Sequence, residues 1–300
     1  MRGLRRLVQE IVVTARRAHG RSRLLAVAVV ACAIPPRLAA QYVCRPGAES
    51  NEAKTLAILS VPLAFGPGGP PGDPTGITLG IEAARVPGVD PATATPTICR
   101  PGKGPENTDV LPALARPRLA LPLMHGLALE ASWIPPVRVN GVKANLIGLA
   151  LTKSLGHRDG LAAAVRAHAT FGSIRAPVTC DRDAIGDPTS ECFNGTVSDD
   201  RYSPNIVGLD VSVGWTMAGG RLRPYLGSGY NRLQPRFQVN FTNQFGDTDT
   251  TRLAVNLDRV ILFGGAAWQL TDRLALAGEI YAAAADAVTG RLVMRRAFGS

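Results

Sequence analysis

Between Val207 and Met217 the chain alternates: Val207, Leu209, Val211, Val213, Trp215 and Met217 hold one parity, and Gly208, Asp210, Ser212, Gly214 and Thr216 the other. A period of two puts the apolar set on one face of a β-strand and the small or polar set on the opposite face. Ala218-Gly219-Gly220 turns the chain into a second alternating run, so the two form a hairpin. Reading the whole chain this way predicts ten strands, near 75–85, 115–124, 127–139, 142–155, 161–176, 205–217, 221–230, 252–270, 273–283 and 289–298. Brief turns join strands two to three, four to five, six to seven and eight to nine, all at one end of an up-and-down meander. The long connections, 86–114, 177–204 and 231–251, gather at the other end, beside the tight Asn140-Gly141 turn, a type I′ signal, and a short turn near Asp286.

Ahead of the strands, 50–65 begins with helix formers and turns apolar in its second half, which fits a short helix or an extra strand. The Gly/Pro run 66–76 stops either from continuing. The first forty residues resemble an export signal, with an arginine-rich start, the apolar stretch 24–34 and small residues before Gln41. The competing readings are an amphipathic N-terminal helix and a lipid-bearing Cys32 in "VVAC". The domain division is therefore 1–40 signal peptide, 41–74 periplasmic or plug segment, and 75–300 barrel.

Charge changes the picture less than it first suggests. The net +10 falls to about +3 once the leader is set aside, so no nucleic-acid surface is indicated. Removing the leader also leaves four cysteines, an even count suited to disulfides in an oxidising compartment. Cys180 with Cys192 closes a local loop, which leaves Cys44 for Cys99. Since Cys44 precedes the first strand and Cys99 lies in a connection at the far end, that second pair requires either that the N-terminal segment thread the lumen or that the strand count differ from ten.

Strands in even number, with short turns at one end and long loops at the other, behind an export signal and closing on "GRLVMRRAF" (290–298), resemble the bacterial outer-membrane β-barrel proteins. The resemblance covers roughly 75–300. It implies an all-β, up-and-down antiparallel transmembrane barrel of about ten strands, with eight to twelve open, and a short N-terminal helix or plug. It further implies location in the bacterial outer membrane, with outer-membrane lipid and the barrel-assembly machinery as partners. A soluble extracytoplasmic barrel that binds an apolar ligand inside is the alternative, since both put an apolar face against something other than water.

If the apolar parity meets lipid, the other parity lines a lumen. Its candidates are Glu82, Glu130, Arg138, Lys143, Arg166, His168, Asp210, Arg223 and Glu279, acids and bases mixed so that they can pair across a narrow interior or select solutes in a pore. An apolar helix from 50–65 entering this lumen would act as a plug, as do the N-terminal hatches of outer-membrane channels for hydrophobic compounds. The expected role is structural or narrow-channel, porin-like passive transport. The loop 180–192 concentrates Asp181, Asp183, Asp187 and Glu191, hard oxygen ligands suited to Ca²⁺, although Ile185 and Cys192 break an EF-hand pattern. His125, His157 and His168 lack the motifs that activate a nucleophile, so neither an enzyme nor a cofactor is expected.

Overall fold

The alternating runs become strands of a closed wall in the computed structural model, which describes residues 42–72, 76–217 and 219–299; the expected signal segment lies outside them. The wall strands are β1 (Ile77–Arg85), β2 (Ala113–Pro122), β3 (Leu127–Ile134), β4 (Val142–Arg158), β5 (Leu161–Ala176), β6 (Ile206–Trp215), β7 (Leu222–Leu233), β8 (Leu257–Thr271), β9 (Leu274–Ala283) and β10 (Ala287–Phe298). Each pairs antiparallel with its neighbours in sequence, and β10 pairs with β1, Arg291 opposite Ala84 and Phe298 opposite Ile77. Ten strands thus close without an edge, which satisfies backbone groups that lipid cannot.

Exposure shows which way the apolar face of each strand points. On β6, Val207, Leu209 and Val211 are each more than half exposed while Asp210 is buried. Ile77, Leu79 and Ile81 on β1, Leu262 on β8, Ile280 on β9 and Leu292 on β10 point outward in the same way. An exposed apolar surface of this extent is the wall of an outer-membrane barrel, because a soluble protein does not leave so large a surface to water.

Two strands end differently from expectation. The run 252–270 divides: Arg252–Ala254 leaves the wall, and β8 starts only at Leu257. The run 127–139 stops at Ile134, because Pro135 and Pro136 have no N–H to give the ladder, and Arg138–Val139 resumes pairing with β4 one register step later. The Asn140-Gly141 turn adopts the expected left-handed pair, φ 48° and 83°.

Beyond the wall, at the end of the long loops, a small sheet extends β5. Asp200–Ser203 pairs with β5, Arg236–Gln238 with it, Arg252–Ala254 next, and Val43–Cys44 last, in parallel. The chain therefore starts, as described, at the outer end. From there it forms helix α1 (Asn51–Ser60), a 3₁₀ turn over Val61–Leu63, and an extended stretch that runs down the lumen toward β1. Short helices α2 (Pro91–Ala94) and α3 (Arg182–Gly186) sit in the outer loops. Both expected disulfides form, Cys44–Cys99 and Cys180–Cys192.

Candidate functional site

The segment 61–72 reads VPLAFGPGGPPG, and its four prolines carry no N–H. Such a segment offers many more carbonyl acceptors than donors, and inside a barrel each must find a partner. Arginine answers this need, since its guanidinium carries five donors and no acceptor. Arg291 donates to the Val61 carbonyl at 3.1 Å, Arg116 to Leu63 at 3.1 Å and Ala64 at 3.0 Å, and Arg166 to Phe65 at 2.6 Å. Arg118 donates to Gly66 at 2.9 Å, Arg295 to Pro67, and Arg223 to Pro71 at 2.9 Å. The Gly68 N–H in turn donates to Glu279 Oε2 at 3.0 Å.

Phe65 anchors the segment. It is fully buried, and the guanidinium carbons of Arg118, Arg166 and Arg116 stand 4.3, 4.9 and 5.2 Å from its ring centroid, a threefold cation–π clamp. Two glycines make the close approach feasible. A Cβ on Gly66 would lie 2.0 Å from Arg291 Nη1, and Gly68, at φ +61°, would put one 2.6 Å from Arg118 Nη1.

The arginines are held by a ladder of buried acids. Glu82 receives Arg116 at 2.6 Å and also Arg118; Glu130 receives Arg118 at 2.9 Å and Arg166 at 3.3 Å. Asp210 lies 3.3 Å from Arg166 and 3.5 Å from His168, and Glu279 receives Arg291 at 3.4 Å and the Tyr225 hydroxyl at 3.1 Å. Of the nine lumen candidates, Glu82, Glu130, Arg166, His168, Asp210, Arg223 and Glu279 face this interior. Arg138 and Lys143 do not. Both are exposed at the outer rim: Lys143 shares the outward parity of Ile147 and Leu149, and Arg138 follows the register step at Pro135-Pro136.

Arg116, Arg118, Arg291 and Arg295 are central to the site and were absent from the sequence reading. The signal was there in part: Arg291 and Arg295 share the parity opposite Leu292 and Met294. The acidic loop does not assemble a calcium site. Asp181 caps α3 at the Ala184 N–H, Asp187 accepts from Thr189, and Glu191 pairs with Arg100 and Lys103. Among the described residues no three His, Cys, Asp or Glu side chains converge as metal ligands.

Above the plug the character changes. A cavity of about 410 Å³ lies between α1 and the outer ends of β2 to β5, walled by Leu56, Leu59, Leu114, Leu146, Ile174 and Val178. Its volume falls in the range of sites for small molecules, roughly 300–1,000 Å³. Polar groups mark its outer boundary. Arg100, almost fully buried, pairs with Glu106, Glu191 and Asp249 at once. Burial drives the Glu106 carboxyl up to about 7, with Arg100 opposing. Glu52 on α1 accepts the N–H groups of Thr97, Ile98 and Cys99 at 3.0, 2.6 and 2.8 Å, which fixes the helix to the loop that carries the first disulfide.

No family model matches the chain, and no curated protein does either. Solved structures of similar fold are bacterial outer-membrane barrels. The outer membrane protease OmpT of Escherichia coli aligns over 75% of this chain and 97% of its own, with 10% identity and a TM-score of 0.41. The attachment invasion locus protein Ail of Yersinia pestis aligns over 74% and 95%, with 8% identity and a TM-score of 0.31. Outer membrane protein Omp33 of Acinetobacter baumannii aligns over 74% and 98%, with 8% identity and a TM-score of 0.29. Likeness at this level concerns the fold alone.

Proposed function

We propose that this chain is an occluded outer-membrane barrel that binds an apolar molecule in the cavity above its plug, and does not conduct solutes through its axis. The observation that carries the reading is the sequence of layers along the lumen: a greasy chamber of about 410 Å³ stands directly on a plug whose carbonyls, together with the carboxylates of the wall, consume the wall arginines. Charges that hold a plug are not available to select ions. The plug is also tied at both ends, by continuity with β1 below and by Cys44–Cys99 above, so it does not leave as a hatch.

Binding of N-phenylnaphthylamine, a neutral apolar fluorophore, tests the chamber, and planar-bilayer recording tests the axis. The purified protein is expected to enhance the probe's fluorescence, and Ala144→Phe with Ala176→Phe, which fill the chamber, are expected to abolish that enhancement. The intact oxidised protein is expected to give no steady conductance. Sustained ion current with no probe binding would return the narrow-channel reading.

A further inference from the structure

The wall is not equally closed all round. β1 and β2 pair over the full length from Thr78 opposite Ala120 to Arg85 opposite Ala113. β2 and β3 pair only from Arg118 opposite Ser132 to Pro122 opposite Ala128. Continued outward, the same register would set Ala113–Pro117 against 133–137, but the paired ladder ends at Arg118 opposite Ser132: Pro117, Pro135 and Pro136 have no N–H to extend it, and the Val137 N–H turns to the Pro135 carbonyl of its own strand. Five residues per strand at about 3.3 Å each leave a seam roughly 16 Å long.

Three features mark the seam as built into the chain. Pro117, Pro135 and Pro136 border it, and without N–H groups they leave fewer orphaned donors where the ladder lapses. The seam spans the outer part of the belt: Pro117 is level with outward Ile81, and Ala113 is level with exposed Arg85 at the rim. Most telling, Ala113 and Ala115 hold outward positions on β2 and are exposed, yet they line the cavity together with exposed Val137 and Val139. A residue facing out of the wall borders an interior chamber only where the chamber reaches between the strands.

We propose that the chamber is loaded sideways, through the β2–β3 seam, and that its occupant is an acyl chain of an outer-leaflet lipid. The inference rests on the reading of the chamber as an apolar binding site and adds the source and the route. The source follows from composition, since the residues that line the chamber at the seam, Ala113, Ala115, Val137 and Val139, are apolar and exposed on the side of the lipid-facing belt. Toward the outer end the cavity meets charge instead, in the Arg100 cluster and the disulfide-bound loop.

The test places a diazirine-bearing residue at Leu114, inside the chamber, in full-length oxidised protein reconstituted into phosphatidylethanolamine and phosphatidylglycerol vesicles. Irradiation is expected to attach lipid acyl chains at position 114, and Ala115→Trp or Val137→Trp, which narrow the seam, are expected to lose those adducts. Heat-modifiable gel mobility identifies which of the two variants keeps the barrel. Binding of N-phenylnaphthylamine without any acyl adduct would overturn sideways loading while leaving the apolar site in place. Absence of both would remove the site and the route together. Adducts undiminished in a folded seam variant would place the route elsewhere.

Discussion

At the scale of single residues, Phe65 and Glu106 carry the sharpest consequences. Phe65 is the aromatic anchor of the charged layer of the lumen, so Phe65→Ala removes both its packing and the surface on which three guanidinium groups lie. A loss of roughly 3–5 kcal/mol is expected for a buried aromatic, read as a lower temperature of heat-modification on gels. Glu106 acts through pH. Its carboxyl sits at about 7 in the folded protein against 4.5 when free, chiefly because burial disfavours the anion. The folded outer loop therefore binds a proton that the unfolded loop releases, and its stability rises as pH falls from about 7 toward 4.5. Hydrogen-exchange protection factors in 86–112, corrected for the intrinsic rate at each pH, are expected to be higher at pH near 5 than near 8, and Glu106→Gln is expected to flatten that difference. Equal protection factors at both pH values in the native protein would contradict this assignment.

At the scale of elements, the period-two pattern made the ten strands and their order legible, because lipid outside and a packed interior inside impose opposite demands on alternate residues. The plug was legible only as a possibility: 50–65 contains a helix, but its placement depends on partners scattered over β2, β5, β7, β9 and β10. Arg116 and Arg118 escaped notice for a local reason, since Pro117 between them blurs the alternation of "ARPRL". Lys143 was misplaced for the opposite reason: a charge was assigned to the lumen although its parity is that of Ile147, and at the rim a lysine extends from the belt to water. The disulfides separate elements by length. Closing 55 residues, Cys44–Cys99 contributes roughly 4 kcal/mol by chain entropy, against roughly 3 for Cys180–Cys192, which spans 12. Cys44→Ser with Cys99→Ser is expected to cost more stability than Cys180→Ser with Cys192→Ser, and only the former is expected to admit intermittent current through the lumen.

At the scale of the whole molecule, the belt and the lumen exchange the usual positions of oil and charge. An arginine is tolerated at 166 because acids and plug carbonyls receive it, whereas Val211→Arg on the outside finds only acyl chains. That substitution is expected to destabilise the reconstituted barrel by roughly 2–4 kcal/mol, measured by urea unfolding in vesicles. A negligible effect would mean that the belt is not immersed in lipid. Closure of the wall also makes stability a collective property, since every strand from β1 to β10 has two neighbours. The β2–β3 seam is the place where that collectivity is weakest.

The Cys44–Cys99 link has one more consequence when the protein is considered as a mechanical object. The covalent ring it closes runs from the cell-surface loop down the axis and back up through β1. A pull applied to the lower end of the plug loads a covalent bond and a wall strand, and the ring bears the tension as a strap would. Force from the periplasm then has no travel to exploit, and a thiol reductant acting on the outer face is what would let the strap slip.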